Sequence, residues 1–218
     1  MPDLPDDLPP VGVEETAAEP AAAATRKRPR PGERRVQILQ TLARMLEQPG
    51  AERITTAALA AKLEVSEAAL YRHFASKAQM FEGLIEFIET SVFTLVNQVA
   101  ERETSGSVQA QKIYVVLLQF GEKNPGMTRV MVGDALVFEH ERLSARMNQF
   151  FDRVESQLRG SLRAAAEAAG SATPTVDAQA LASALTALAV GRLQRYARSG
   201  FKRLPTEHLE PALQRLTS

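Results

Sequence analysis

The sequence has no cysteine, only three histidines and no surplus of either charge: 26 Lys and Arg stand against 26 Asp and Glu in 218 residues. Without cysteine there are no disulfides, no thiolate nucleophile and no Cys-ligated metal. Three histidines with no clustered carboxylate–histidine spacing assemble neither a metal set nor a nucleophile–base pair, so neither an enzyme nor a cofactor is expected. The Glu139-His140-Glu141 run does not change this, because adjacent residues of a helix point to different faces and cannot chelate together. Long apolar runs are missing as well. The longest charge-free one, Ala178 to Gly191, is shorter than the roughly 20 residues that span a bilayer, so no membrane span is expected. The opening Pro and Asp residues lack the basic and apolar regions of a signal peptide, and a cytoplasmic protein is the expectation. No segment shows sustained period-two alternation of β-branched residues, which argues against strands.

Taken alone, zero net charge argues against a nucleic-acid partner. The charge, however, is sorted along the chain. Residues 1–24 hold six acids (Asp3, Asp6, Asp7, Glu14, Glu15, Glu19) and no base, residues 25–80 hold eleven bases and five acids, and residues 81–218 hold fifteen of each. The basic block is therefore where an anionic partner would be read first.

The apolar fraction of 44% and charged fraction of 24% are those of an ordinary globular protein with a substantial core. Residues 1–32, built from Pro, Ala, Asp and Glu and then Arg26-Lys27-Arg28-Pro29-Arg30-Pro31, are expected to form a disordered tail, acidic and then basic. The acidic part is expected to fold over the basic block and compete weakly with an anionic ligand. Everything after residue 32 has helical periodicity. Val36, Leu39, Leu42, Ala43 and Leu46 predict a first helix stopped by Pro49-Gly50. Phe81, Leu84, Ile85, Ile88, Val92, Leu95, Val96 and Val99 predict a helix of about seven turns. Further helices are expected at about 107–122, 126–134, 136–169, 176–200 and 205–216, for an all-α fold of about nine helices.

The informative segment runs from Arg53 to Phe74, and reads as two short helices separated by a tight turn. Thr55 and Ser66 are natural N-caps. Leu59 and Leu63 make an apolar seam, Ala57, Ala60 and Ala61 permit close packing, Val65 anchors the turn, and Leu70 and Phe74 point inward. The other face of the second helix carries Glu67, Ala68, Tyr71, Arg72 and His73. That slim, polar N-terminal end is what a helix entering the major groove requires. Lys77, placed after Ser76 at the start of the next helix, and Thr55 and Thr56, which open the first, suit phosphate. His73 has two readings: beside Tyr71 and Phe74 it packs the head, or it reaches DNA. Arg26, Lys27, Arg28, Arg30 and Arg34 are either a solvated charge run or, as favoured here by their position next to the head, a flexible arm on phosphate or minor groove.

The pattern Leu-x-x-x-Leu-x-Val-Ser-x-x-x-Leu-Tyr-x-His-Phe-x-x-Lys from Leu59 to Lys77 resembles the signature of the TetR family of bacterial DNA-binding proteins. The resemblance implies a three-helix head at 33–80 and a helical dimerisation and partner-binding domain at 81–218. It further implies a homodimer that places its recognition helices in successive major grooves of a palindrome, about 34 Å apart. The helices at 136–169 and 176–200 would form the four-helix bundle of the dimer, with Ala164–Ala166, Ala180, Ala182, Ala184, Ala187 and Ala189 allowing close approach.

Leu84-Ile85-Glu86-Phe87-Ile88-Glu89, Phe120-Gly121-Glu122-Lys123-Asn124-Pro125-Gly126, Phe138-Glu139 and Asn148–Arg159 narrow the resemblance to the nucleoid occlusion branch of that family. This implies a nucleoid-associated protein that antagonises polymerisation of the division GTPase FtsZ when bound to chromosomal palindromes. The FtsZ C-terminal tail would enter a groove marked by Phe87, Val116, Lys123 and Asn124. Leu95 stands where that groove is expected to be basic, and Gln119 where glycine is expected. Phe87, one position off the Leu84/Ile88 stripe, is either a core edge or an interface anchor. The alternative is a TetR-type repressor released by a small apolar ligand, with Phe138, Met147, Phe150 and Phe151 lining its pocket. Aromatics and Met at helical spacing are more often core, and no small-molecule ligand is expected. A third reading, a helical interaction protein without DNA, requires the basic block to be incidental.

Overall fold

A computed structural model of the chain describes residues 32–48 and 53–216. The acidic tail, the arm residues Arg26, Lys27, Arg28 and Arg30, and the Pro49-Gly50 stop lie outside the described residues. Among the described residues there are nine α-helices and no strand: α1 Glu33–Leu46, α2 Thr56–Lys62, α3 Glu67–Tyr71, α4 Lys77–Arg102, α5 Gly106–Lys123, α6 Pro125–Met131, α7 Glu141–Ala168, α8 Pro174–Arg198 and α9 Leu209–Leu216. A 3-10 turn, Asp134–Leu136, stands between α6 and α7.

Local chemistry sets several of the starts. Thr55, Ser66 and Ser76 accept from the amides of Ala58 (3.1 Å), Ala69 (3.3 Å) and Gln79 (3.2 Å), each satisfying a donor that an opening turn leaves free. The stripe of α4 is buried along its length, from Met80 and Phe81 to Val96 and Val99. It packs on α1, α5, α6 and α7, and α5 packs in turn on α7 and α8. Two ion pairs clasp α7 to α4: Arg142 Nε with Glu82 at 2.8 Å, and Arg146 with both carboxylate oxygens of Glu89 at 2.5 and 3.0 Å.

Four departures from the periodicity have physical causes. Val36 is 54% exposed, and the buried stripe of α1 is Ile38, Leu42 and Leu46, flanked by Thr41 and Ala43. Helix α1 packs on three helices, α2, α4 and α6, and this shifts the centre of its stripe. The helix expected at 126–134 ends at Met131, where Gly133 turns the backbone left-handed at φ 84°. The helix expected from 136 begins at Glu141, because the 3-10 turn intervenes and His140 caps α7 through its imidazole. The last helix starts at Leu209 instead of about 205, after a turn in which His208 has φ 53°.

Candidate nucleic-acid interface and partner surface

The α2–α3 unit is built from its turn outward. Leu63 closes α2, the amide of Glu64 donates to Ala61 O and that of Val65 to Ala60 O, both at 3.0 Å. This pair of backward bonds is a Schellman closure, and it requires a left-handed residue at Glu64, whose φ is 54°. Leu59, Leu70 and Phe74 are buried, and Leu63 and Val65 are half-buried against them. Of the three alanines expected to pack, only Ala60 is buried; Ala57 and Ala61 are exposed. Arg35 ties α1 to the end of α3, donating to His73 O at 2.9 Å with its guanidinium 4.1 Å from the Phe74 ring centre.

What remains outward is polar. Thr55, Ser66, Glu67, Ala68, Tyr71, Arg72 and His73 are exposed, and Thr56 is half-buried. The Thr56 hydroxyl donates to the Glu67 carboxylate at 2.6 Å, so α2 orients the acid at the start of α3. His73 accepts from Arg35 through its carbonyl, and the neighbouring Phe74 is buried. Arg34 reaches along α1 to Gln37 at 2.8 Å. Lys77 stands at the first position of α4, but its ammonium is paired with Glu139 and lies 5.7 Å from the Phe81 ring centre. No local pattern announces that pair, whose members are 62 positions apart in sequence.

The partner candidates divide. Lys123 is exposed at the end of α5, and Phe87 is half-buried with its ring 6.2 Å from that of Phe120. Val116 and Asn124 are corrections to the expected surface. Val116 is 3% exposed because it shares the core stripe of α5 with Ile113, Leu117 and Phe120. Asn124 is 4% exposed and donates to Phe120 O at 2.9 Å, so its side chain closes α5 instead of facing outward. Leu95 is buried too, and Gln119 is half-buried. A groove of about 380 Å³ does flank α5, on its other side: Val108, Val115 and Gln119 face Leu209 and Leu213 of α9 across it. The sequence signal was the second row of α5 at i, i+7 and i+11, which the dominant core stripe obscured.

The aromatic and Met residues differ in burial. Met147 and Phe150 are in the core, Phe150 packs edge-on against Phe93 and Phe151 at 5.5 and 5.2 Å, and Phe138 is 66% exposed. The three residues of the Glu139-His140-Glu141 run have separate places, since Glu139 meets Lys77, His140 caps α7 and Glu141 opens it. Among the described residues no helix is long and apolar enough to cross a membrane.

Known proteins resemble the chain along most of its length. Residues 38–84 match the family of bacterial regulatory proteins, tetR family, and residues 104–218 match the SlmA-like family described as Tetracyclin repressor-like, C-terminal domain. The nucleoid occlusion factor SlmA of Photobacterium profundum is 50% identical over 186 residues, covering 85% of this chain and 94% of the relative. The SlmA of Salmonella paratyphi B is 50% identical over 178 residues, covering 81% and 89%. Among solved structures, the ketosteroid transcriptional regulator KstR2 of Mycobacterium tuberculosis shares the fold with a TM-score of 0.66 at 18% identity, over 85% of this chain and 94% of that one. The TetR family regulator PfmR of Thermus thermophilus does so with a TM-score of 0.63 at 19% identity, over 83% and 97%. The chain therefore belongs to the TetR family of bacterial regulatory proteins, and within it to the family of the SlmA nucleoid occlusion factors.

Proposed function

We propose that the chain acts as a nucleoid occlusion factor. A homodimer binds palindromic duplex DNA through heads formed by residues 33–80, and the DNA-bound protein antagonises FtsZ polymerisation so that the septum does not assemble over the nucleoid. The observation that carries the DNA reading is the α2–α3 pair, whose apolar side is buried in the head while its outward side is small and polar. Ser66, Glu67, Ala68, Tyr71, Arg72 and His73 meet base edges and phosphates, Thr55 and Thr56 the opposite backbone wall, and the arm at Arg26–Arg34 the adjacent phosphates or minor groove. In the body, 81–218, Lys123 supplies a cation and Phe87 an aromatic edge for the FtsZ tail, while Val116 and Asn124 shape the surface from beneath. The FtsZ role is supported by the 50% identity to proteins named for nucleoid occlusion, which extends through both parts of the chain.

Two measurements test this. Affinity for a site-bearing duplex is expected to fall with salt, each neutralised phosphate contributing about −0.9 to the log–log slope. A flat dependence removes the DNA reading. Sedimentation of FtsZ polymers with the protein and that duplex is expected to give less polymer than with the protein and an unrelated duplex. Equal amounts would leave a DNA-binding regulator without the division role.

A further inference from the structure

Lys77 and Glu139 join the DNA-facing end of the molecule to the body. Their side chains are 26% and 9% exposed, so the carboxylate is almost wholly covered and the ammonium keeps an opening to solvent. Glu139 belongs to a lightly held segment. Ala135 and Leu136 anchor it in the core, and turn bonds hold the amides of Leu136 (2.8 Å) and Glu139 (3.0 Å). Beyond these anchors Val137 and Phe138 are 69% and 66% exposed, and Phe138 lies 6.0 Å from the guanidinium of Arg53, just before α2. The segment ends at the His140 cap of α7, the helix clasped to α4 by Arg142 and Arg146.

We propose that Glu139 is a latch that duplex DNA opens. A backbone phosphate replaces the carboxylate as the partner of Lys77, and segment 134–140 is released at the start of α7. The proposal rests on the DNA reading of the α2–α3 end, and adds to it a residue that sets affinity from outside the interface. A phosphate brought to Lys77 approaches within a few ångströms of a carboxylate shielded from solvent, where like charges are poorly screened. One ammonium does not hold both anions there without a large repulsion, and the one on the weakly anchored segment is the one that leaves. By linkage, any partner that draws 134–140 away from the head also frees Lys77 and tightens DNA binding by the same factor. Glu139 is thus a positioning residue acting through Lys77.

The test is a double-mutant cycle at low salt on the full chain with a site-bearing duplex, using Glu139→Gln, Lys77→Met and the double variant. Glu139→Gln is expected to tighten binding several-fold when Lys77 is present. In the Lys77→Met background it is expected to change affinity by less than about twofold, the limit of additivity for uncoupled sites. An equal gain in both backgrounds would reduce the effect to the loss of one negative charge near DNA, and no gain in either would remove it. Hydrogen exchange of residues 134–140 in the unaltered protein supplies a reading that needs no variant. Exchange there is expected to accelerate when duplex is added, and unchanged or slowed exchange overturns the latch. Absence of salt-sensitive duplex binding by the unaltered protein takes down the DNA reading and the latch together, whereas binding with an additive cycle takes down the latch alone.

Discussion

Among the described residues Tyr114 is the largest fully buried side chain, and its hydroxyl has no hydrogen-bond partner. Burial pushes its pKa up to about 12 from 10.0, against a smaller lowering by Arg192. The folded chain therefore keeps a proton that the unfolded chain has lost across that interval. Stability from this group is complete below pH 10 and declines as pH rises toward about 12, by about 1.4 kcal/mol per unit. Tyr114→Phe is expected to raise stability at neutral pH by about 1 kcal/mol, since it removes a buried hydroxyl without a partner. It should also flatten the alkaline fall, which urea midpoints between pH 8 and 12 would show. Tyr196, raised first by its own burial and then by Glu122, leaves part of that fall in place. At this scale the sequence is legible wherever a residue acts on its neighbours in the chain. The caps at Thr55 and Ser66 could be read because each serves an amide three positions on. The capture of Lys77 could not, because Glu139 stands 62 positions away.

Among the elements, α6 shows how close packing puts a demand on one position. An added Cβ at Gly126 would lie 2.1 Å from the carbonyl oxygen of Ala43 in α1, which is backbone and cannot swing aside. Asn124-Pro125-Gly126 could be recognised as a stop and restart from its residue types alone, but the need for glycine comes from α1, some eighty positions earlier. Gly126→Ala is expected to cost about 3 kcal/mol, the upper end for overpacking, with a lowered urea midpoint as the readout. Gly106 faces a similar limit, with Ser161 O at 2.2 Å from the same added atom, so α5 lies close on α7. The long stripe of α4 was plain in sequence because one helix supplies many turns of a single pattern. The stripe of α1 departs from its periodicity at Val36 because a helix packed on three others has no single face to display.

For the molecule as a whole, α8 carries two faces made of similar residues. Ala182 and Ala189 point into the protomer and are buried, while Ala180, Ala184, Ala187 and Leu188 are exposed along the opposite side, with Gly191 half-buried at its end. Small residues at helical spacing let two backbones approach closely, and this row is the face on which the proposed homodimer would meet. The alanine content of the helix was visible in sequence, but which alanines face the core and which face outward was not. Ala184→Glu leaves the protomer core untouched and places a charge on that face. It is expected to yield monomers in sedimentation at concentrations where the parent chain is dimeric, with loss of palindrome binding. A variant that remains dimeric would move the interface elsewhere.

The bond between Thr56 and Glu67 bears on how a wrong sequence is refused. An acid at the leading end of the proposed recognition helix is repelled by every phosphate it approaches, and the threonine hydroxyl holds it in place. That repulsion weakens binding to duplex of any sequence. It is offset only where a base offers a hydrogen-bond donor in the groove, as the amino group of cytosine does. Selectivity then arises from a toll on all DNA that the correct site alone remits, and it is read in the ratio of specific to non-specific affinity.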